Sequence, residues 1–337
     1  MQTRLIALAC VLVSVIGCES ATSKPYSYSD WIEKQHPPSD TEKLPAGCKI
    51  LKYRGNFISI REAIEGSGRH CVVHDFIQRK RIDSINGKDR GSPKYEGVLS
   101  FLEGCNVDVD LRGHLISGAP YEDTVGVANF NAKLQSLRVH HGKITSPGKF
   151  GVGIFMAPYK FPPNGLGSLR PEDQPPMRNV KYISDQEGFK YSDPWNYQPI
   201  THYTAENLQI NAGWRGIIMS GADNVVRNNF IEVDGQTAIY LYGPHPIIEG
   251  NTFIVHLDKR DQAPLPAILK LLDADGAIIR NNQFIVQGRG NAYKAEAAIN
   301  LLASKDVMIE NNSVNDVRLL VRKDEVSTVI EKDNVLK

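Results

Sequence analysis

The chain has no charge bias, few cysteines and almost no long apolar run, and each lack removes a class of function. Its 337 residues carry 39 Lys and Arg against 38 Asp and Glu. A surface so balanced has no electrostatic footprint for nucleic acid, which is not expected as a ligand. There are five cysteines, and the gaps of 23 residues from Cys48 to Cys71 and 34 from Cys71 to Cys105 match no zinc pattern. The nine histidines are scattered. His70 and His74 flank Cys71, but four positions along a strand is about 13 Å, too far to share an ion. On a strand His140 and His141 would point to opposite faces. No metal site is therefore expected. Beyond the amino terminus no apolar run is long enough to cross a bilayer, so the body of the chain is expected to be soluble.

The amino terminus is the exception. Arg4 precedes an apolar run from Leu5 to Ile16, broken only by Ser14, too short for a mature transmembrane helix and suited to export. It ends Val15-Ile16-Gly17-Cys18, which resembles the bacterial lipobox. That resemblance implies a signal peptide over 1–17 and lipidation of Cys18, with acyl chains holding the protein to a membrane of the cell envelope. Glu19 follows in place of the aspartate associated with inner-membrane retention, which favours the outer membrane. Residues 18–46 are polar and carry Pro25, Pro37, Pro38 and Pro45, as a tether would. An oxidising envelope permits a disulfide. Cys48 with Cys71 is the preferred pair, because both flank the start of the folded region, and Cys105 is left as a thiol.

Four stretches then repeat one pattern of two apolar residues, a charge, a small polar residue and asparagine. They are Val225–Asn229, Ile247–Asn251, Ile278–Asn282 and Met308–Asn312, with a degraded fifth copy at Val329–Asp333. The asparagines are 22, 31 and 30 residues apart, a period typical of stacked supersecondary units. Each copy has a second apolar run before it (Ile217, Ile239, Leu269 and Ile299 begin these runs) and a third after it. Three short strands per repeat describe one coil of a solenoid, and a single coil cannot bury its own interior. The recurring asparagine suits a turn position, where it tolerates left-handed backbone and can bond its equivalent in the next coil.

This pattern resembles the right-handed parallel β-helix superfamily, which includes pectate lyases and pectinases. The segment Val107–Gly118, with its Asp110-Leu111-Arg112-Gly113-His114 phrase, is similar to an early coil of such proteins. The segments Leu137–Ile144 and Gly151–Met156 are similar to the next. The expected fold is all-β: a right-handed parallel β-helix over 47–337, with an amino-terminal cap at 47–80 and a long inserted arm at 157–204. Ser59-Ile60-Arg61-Glu62 reads as a capping box, so a short helix continuing through Ala63 and Ile64 is expected to cover the first coil. The arm carries Phe161, Tyr182, Phe189, Trp195 and several prolines. An aromatic insert of this length is more often functional than unstructured.

Strand alternation locates a candidate site. If Ile217, Ile239, Leu269 and Ile299 point inward, then Ile218, Tyr240, Lys270 and Asn300 form one outward column, joined by Phe155. Tyr242 lies on the next outward column, Trp214 and Arg215 sit at the edge, and the arm with Trp195 would wall the groove. Aromatic rings, cations and an amide over a few coils suit a polysaccharide. For a lyase, Arg215 or Lys270 could neutralise a uronate or act as base, with Tyr240 or His202 as proton donor. A glycosidase needs two facing carboxylates, and the pectinase signatures of the superfamily are absent, so a lyase is favoured over a hydrolase if the chain is an enzyme. No cofactor is expected. Calcium is unsupported, since Asp273 and Asp275, the one close acidic pair in the outer region, suit a turn. The expected function is an envelope-anchored lipoprotein, monomeric, that binds or processes polysaccharide. The alternative is a non-catalytic structural or assembly factor presenting a surface to another protein.

Overall fold

The computed structural model describes residues 44–51, 62–64, 66–78, 97–101, 105–118, 124–129, 135–149, 151–156, 202–235, 237–257, 265–288 and 295–337. The signal sequence, Cys18, most of the tether, Ser59 to Arg61 and the arm through 201, with Trp195, lie outside these residues. So does the Cys105 side chain.

Among the described residues every strand pairing is parallel, and the strands fall into a nine-stranded and a seventeen-stranded sheet. The three apolar runs of each repeat become one strand of the smaller sheet and two of the larger. In one coil these are Ile239–Tyr242, Ile247–Glu249 and Thr252–His256. They pair in register with Leu265–Leu272, Ile278–Arg280 and Gln283–Gln287 of the next. The chain is a parallel β-helix. Like residues therefore stack on like: Phe253 lies on Phe284 with ring centroids 5.1 Å apart and planes 15° apart, within a continuous buried core.

The paired asparagines of each repeat have separate jobs. The first, Asn228, Asn281 or Asn311, takes left-handed backbone at the corner, with φ of 53°, 57° and 52°. Gly250 occupies that corner in its own coil at φ 66°, where a Cβ would fall 2.4 Å from the Asn228 amide oxygen. The second asparagine turns inward and is buried. Asn251 Nδ2 donates to the Val226 carbonyl at 2.9 Å, and its Oδ1 accepts from the Asn229 backbone N–H at 2.9 Å and from Asn229 Nδ2 at 3.0 Å. Asn282 and Asn312 repeat this arrangement, and Asn334 ends it by accepting from the Asn312 N–H at 3.0 Å. The last copy therefore keeps its inward asparagine, although Glu331 stands where Ile309 fills the core in the coil before. Its register is Ile330 on Met308 and Glu331 on Ile309, one residue later than the sequence window suggests.

The helical cap does not form over its described part. Glu62, Ala63 and Ile64 are a strand paired with Leu99, Ser100 and Phe101, and Ile64 is buried in the core. A capping box stabilises a helix end by about 1 kcal/mol. Pairing and burial of the first rung of the sheet outweigh it. A disulfide joins Cys48 to Cys71, with Cα atoms 5.9 Å apart, beside the pairing of Lys49–Leu51 with His70–Val72.

One irregularity runs the length of the smaller sheet. Ala238 and Ile239, Ile268 and Leu269, and Ala298 and Ile299 are consecutive pairs that both enter the core, so alternation is broken by a stacked bulge. In earlier coils Gly216 fills this place. A Cβ there would meet Ile231 Cγ2 of the core at 2.4 Å. The bulge turns the preceding residue, Arg215, outward.

Replacing Asn251 by Ala strands the buried Asn229 N–H and Val226 carbonyl. The expected loss is about 2–4 kcal/mol in denaturant unfolding, against a loss several-fold smaller for Asn281→Gly at the exposed corner.

Candidate functional site

The expected column exists as a register. Ala128, Phe155, Ile218, Tyr240, Lys270, Asn300 and Arg322 are successive partners across the nine-stranded sheet. Because the bulge aims Arg215 outward, its guanidinium lies 4.3 Å from the Trp214 ring centroid and 5.0 Å from that of Tyr240. Tyr240 and Tyr242 rings are 4.8 Å apart. Arg215, Trp214, Tyr240 and Tyr242 thus meet on one face, with Lys270 and Asn300 on the strands that follow. His202 does not join them. It lies at φ 45° on the corner before strand Tyr203–Ala212 of the other sheet, with Nδ1 4.0 Å from Asp223.

This face is not an open groove wall. Arg215 is fully buried, and Tyr240, Lys270, Asn300, Phe155 and Trp214 each keep 3% or less of their surface exposed. Phe155, Trp214 and Tyr240 form, with Val125, Val152, Leu272 and Leu302, a second apolar cluster outside the main core. A buried guanidinium or ammonium is tolerated only with partners, and Arg215 and Lys270 both have them. Strand alternation correctly places the Ile218, Tyr240, Lys270 and Asn300 column outside the core, although it does not place Arg215 there. It carries no information on whether a further layer covers them. Asp273 and Asp275 serve the corner turns: Asp275 accepts from the Lys305 N–H at 2.7 Å, and Asp273 sits at φ 50°.

The larger sheet carries a second row that sequence reasoning missed. Asp110, His140, Glu206, Arg227, Glu249, Arg280, Glu310 and Lys332 are successive register partners. From Glu206 onward the charge alternates at every step. Arg227 reaches Glu206 at 3.3 Å and Glu249 at 3.6 Å, and Arg280 reaches Glu249 at 2.7 Å. The signal was present in the repeat itself, whose charged position reads Arg227, Glu249, Arg280, Glu310. In a stacked fold such an order makes every vertical neighbour an opposite charge.

The amino-terminal end of that row is where the histidines come together. His140 and His141 do not point to opposite faces, because His141 takes the left-handed corner at φ 55°. The corner lifts it out of strand alternation and brings the two Nδ1 atoms to 2.7 Å. Asp110 lies beside both. Burial by itself would raise the Asp110 pKa, but the His141 hydrogen bond, the His140 charge and Arg69 carry it well below the usual carboxylate range. Burial lowers the pKa of His140, although Asp108 and Asp110 oppose the shift.

Glu249→Arg would put three cations in succession. The expected destabilisation is roughly 1–3 kcal/mol in low salt, larger than for Glu249→Gln and reduced in 1 M salt, as read by urea unfolding.

No protein-family profile matches the chain, and no curated protein matches it in sequence. Among solved structures it is similar to the enzymatically active domain of bacteriophage CBA120 tailspike protein 2, with a TM-score of 0.43 and 8% identity over 79% of this chain. The chain spans 38% of that domain's length. It is also similar to PfbA, a surface adhesin of Streptococcus pneumoniae, with a TM-score of 0.25 and 9% identity over 86% of this chain and 79% of the adhesin. Likenesses this distant carry no argument about ligand or activity. The parallel β-helix rests on the chain's own strand pairing.

Proposed function

We propose that this chain is an envelope-anchored β-helix lipoprotein that binds polysaccharide, with an acidic glycan as the preferred class, and does not cleave it. The observation that carries the reading is the Trp214–Arg215–Tyr240 stack with Lys270 in register beside it. Sugar rings stack on aromatic faces, and a uronate carboxylate pairs with guanidinium and ammonium groups. The described members of the row supply rings, cations and an amide, which suit an acidic sugar, and no facing carboxylates of the kind hydrolysis uses. Glycan contact requires this face to open, because Tyr240 and Lys270 are almost wholly enclosed.

A second reading is an assembly factor whose outer face docks a protein. The apolar and aromatic make-up of the cluster beside the row favours it, since a partner polypeptide covers such a surface where it becomes accessible.

The test is binding of the full chain to a panel of uronate and neutral polysaccharides by calorimetry, alongside absorbance for unsaturated ends. Binding to at least one uronate polymer is expected, weakened about tenfold or more by Lys270→Gln, with no unsaturated product. Silence across the panel would sink the glycan reading, and a product would sink its non-catalytic part. A protein partner captured equally by the native chain and Tyr240→Phe would favour assembly. Cys18→Ala is expected to move the protein from the membrane to the soluble fraction, and unchanged fractionation would refute the anchor.

A further inference from the structure

We propose that Asp110, His140 and His141 form a binding site for a divalent transition-metal ion of the zinc type. Their ligand atoms all lie within 4.8 Å of one another. His140 Nδ1 and His141 Nδ1 are 2.7 Å apart, and Asp110 Oδ1 is 3.8 Å from the first and 3.7 Å from the second. A triangle with those sides has a circumscribed radius of about 2.0 Å, the length of a zinc bond to nitrogen or oxygen. An ion at that centre would lie in the plane of the three atoms, so tetrahedral coordination asks each pair of donors to stand about 3.3 Å apart, a shift of a few tenths of an ångström in the two rings and the carboxylate. Two imidazoles and one carboxylate leave a fourth position for water. His141 is the most exposed of the three.

The surroundings suit an ion. His140 Nε2 bonds Asp108 Oδ1 at 2.8 Å. A carboxylate on the far nitrogen holds the ring with Nδ1 available and raises its basicity, as the outer partners of metal-bound histidines do. Arg69 Nη2 takes Asp110 Oδ2 at 2.7 Å, so Oδ1 is the oxygen turned to the histidines, where it also accepts the Arg112 N–H at 3.0 Å. His141 Nε2 lies 3.5 Å from Asn207 Nδ2. Arg138 bonds Glu206 and lies 3.4 Å from Asp108. Against the three carboxylates Asp108, Asp110 and Glu206 stand Arg69 and Arg138, while Arg227 is shared with Glu249. In the vertical row, moreover, His140 stands between Asp110 and Glu206, the kind of place between two carboxylates that Arg227 and Arg280 fill further along.

The ion would bridge two coils, since Asp110 ends strand Cys105–Asp110 and both histidines lie in Gln135–Ser146. The site rests on the αL corner of His141, a position that tolerates asparagine in later coils. His141→Asn is therefore a variant expected to fold. Imidazole and carboxylate ligands do not choose among zinc, nickel, cobalt and copper by themselves, so the experiment uses the ions directly.

The full chain, stripped with EDTA and desalted, would be titrated with Zn²⁺ by calorimetry and with Co²⁺ by visible absorption. One ion per chain is expected, with thermal unfolding shifted upward by Zn²⁺. The imidazole Nδ1 resonances of His140 and His141 should move on binding. His141→Asn should weaken binding about tenfold or more, and Asp108→Asn about 10–100-fold. His245→Asn, at an exposed corner beside Asp223, should leave it unchanged. No saturable binding, or binding indifferent to His141→Asn with unmoved Nδ1 resonances, overturns the site and leaves a histidine–histidine hydrogen bond in its place.

Discussion

A chain that turns a corner inside its own core must find partners for the peptide groups that leave the strand ladder, because water cannot reach them. In this protein those partners are the inward amides of Asn229, Asn251, Asn282, Asn312 and Asn334. Each side chain accepts from the coil before it at the amide and donates to a carbonyl there. An unpaired buried peptide group costs about 1–3 kcal/mol, so a corner without its amide would be the weakest point of a coil. The ladder also sets register. An amide can bridge to its equivalent only when successive coils are aligned to the residue, and that alignment places Phe253 over Phe284 and Glu249 between two arginines. The charge row and the stacked core both depend on it.

The two outer faces answer the same geometry with different chemistry. On the larger sheet the outward side chains from Arg227 onward stay partly in water, and opposite charges alternate from coil to coil. Such pairs are worth little singly, but each charge from Arg227 to Glu310 has a neighbour of opposite sign above and below. On the smaller sheet the outward side chains are apolar or aromatic and enclose two cations. The stacked bulge makes that face possible, since it turns Arg215 outward against Trp214 and Tyr240 where strict alternation would send it into the core. At the amino-terminal end of the charge row the alternation admits a neutral ring, and the histidine pair gathers there.

Much of this was legible. The apolar runs and the asparagine period gave the coil, the three strands and the order of the column through Phe155, Tyr240, Lys270 and Asn300. These follow from short-range rules of alternation and spacing, which stacking preserves. The misreadings share a cause. The capping box at Ser59 to Glu62, the opposed histidines and the solvated column each apply a local rule where a neighbouring coil or layer overrides it. Glu62 to Ile64 pair as a strand because the next coil offers Leu99 to Phe101. His141 leaves the alternation because its place is a corner.

What the sequence determined by itself was therefore the repeating unit: which residues form strands, which turn the corner, and which alternate in charge. Periodicity along the chain is enough for that, because coils stack in sequence order. The tertiary structure decided burial and convergence. Whether Tyr240 and Lys270 meet water, whether Arg215 stacks on Trp214, and whether Asp110 lies within reach of two histidines depend on contacts between coils and on one bulge that alternation does not reveal. Those distances exist only once the coils have been laid on one another.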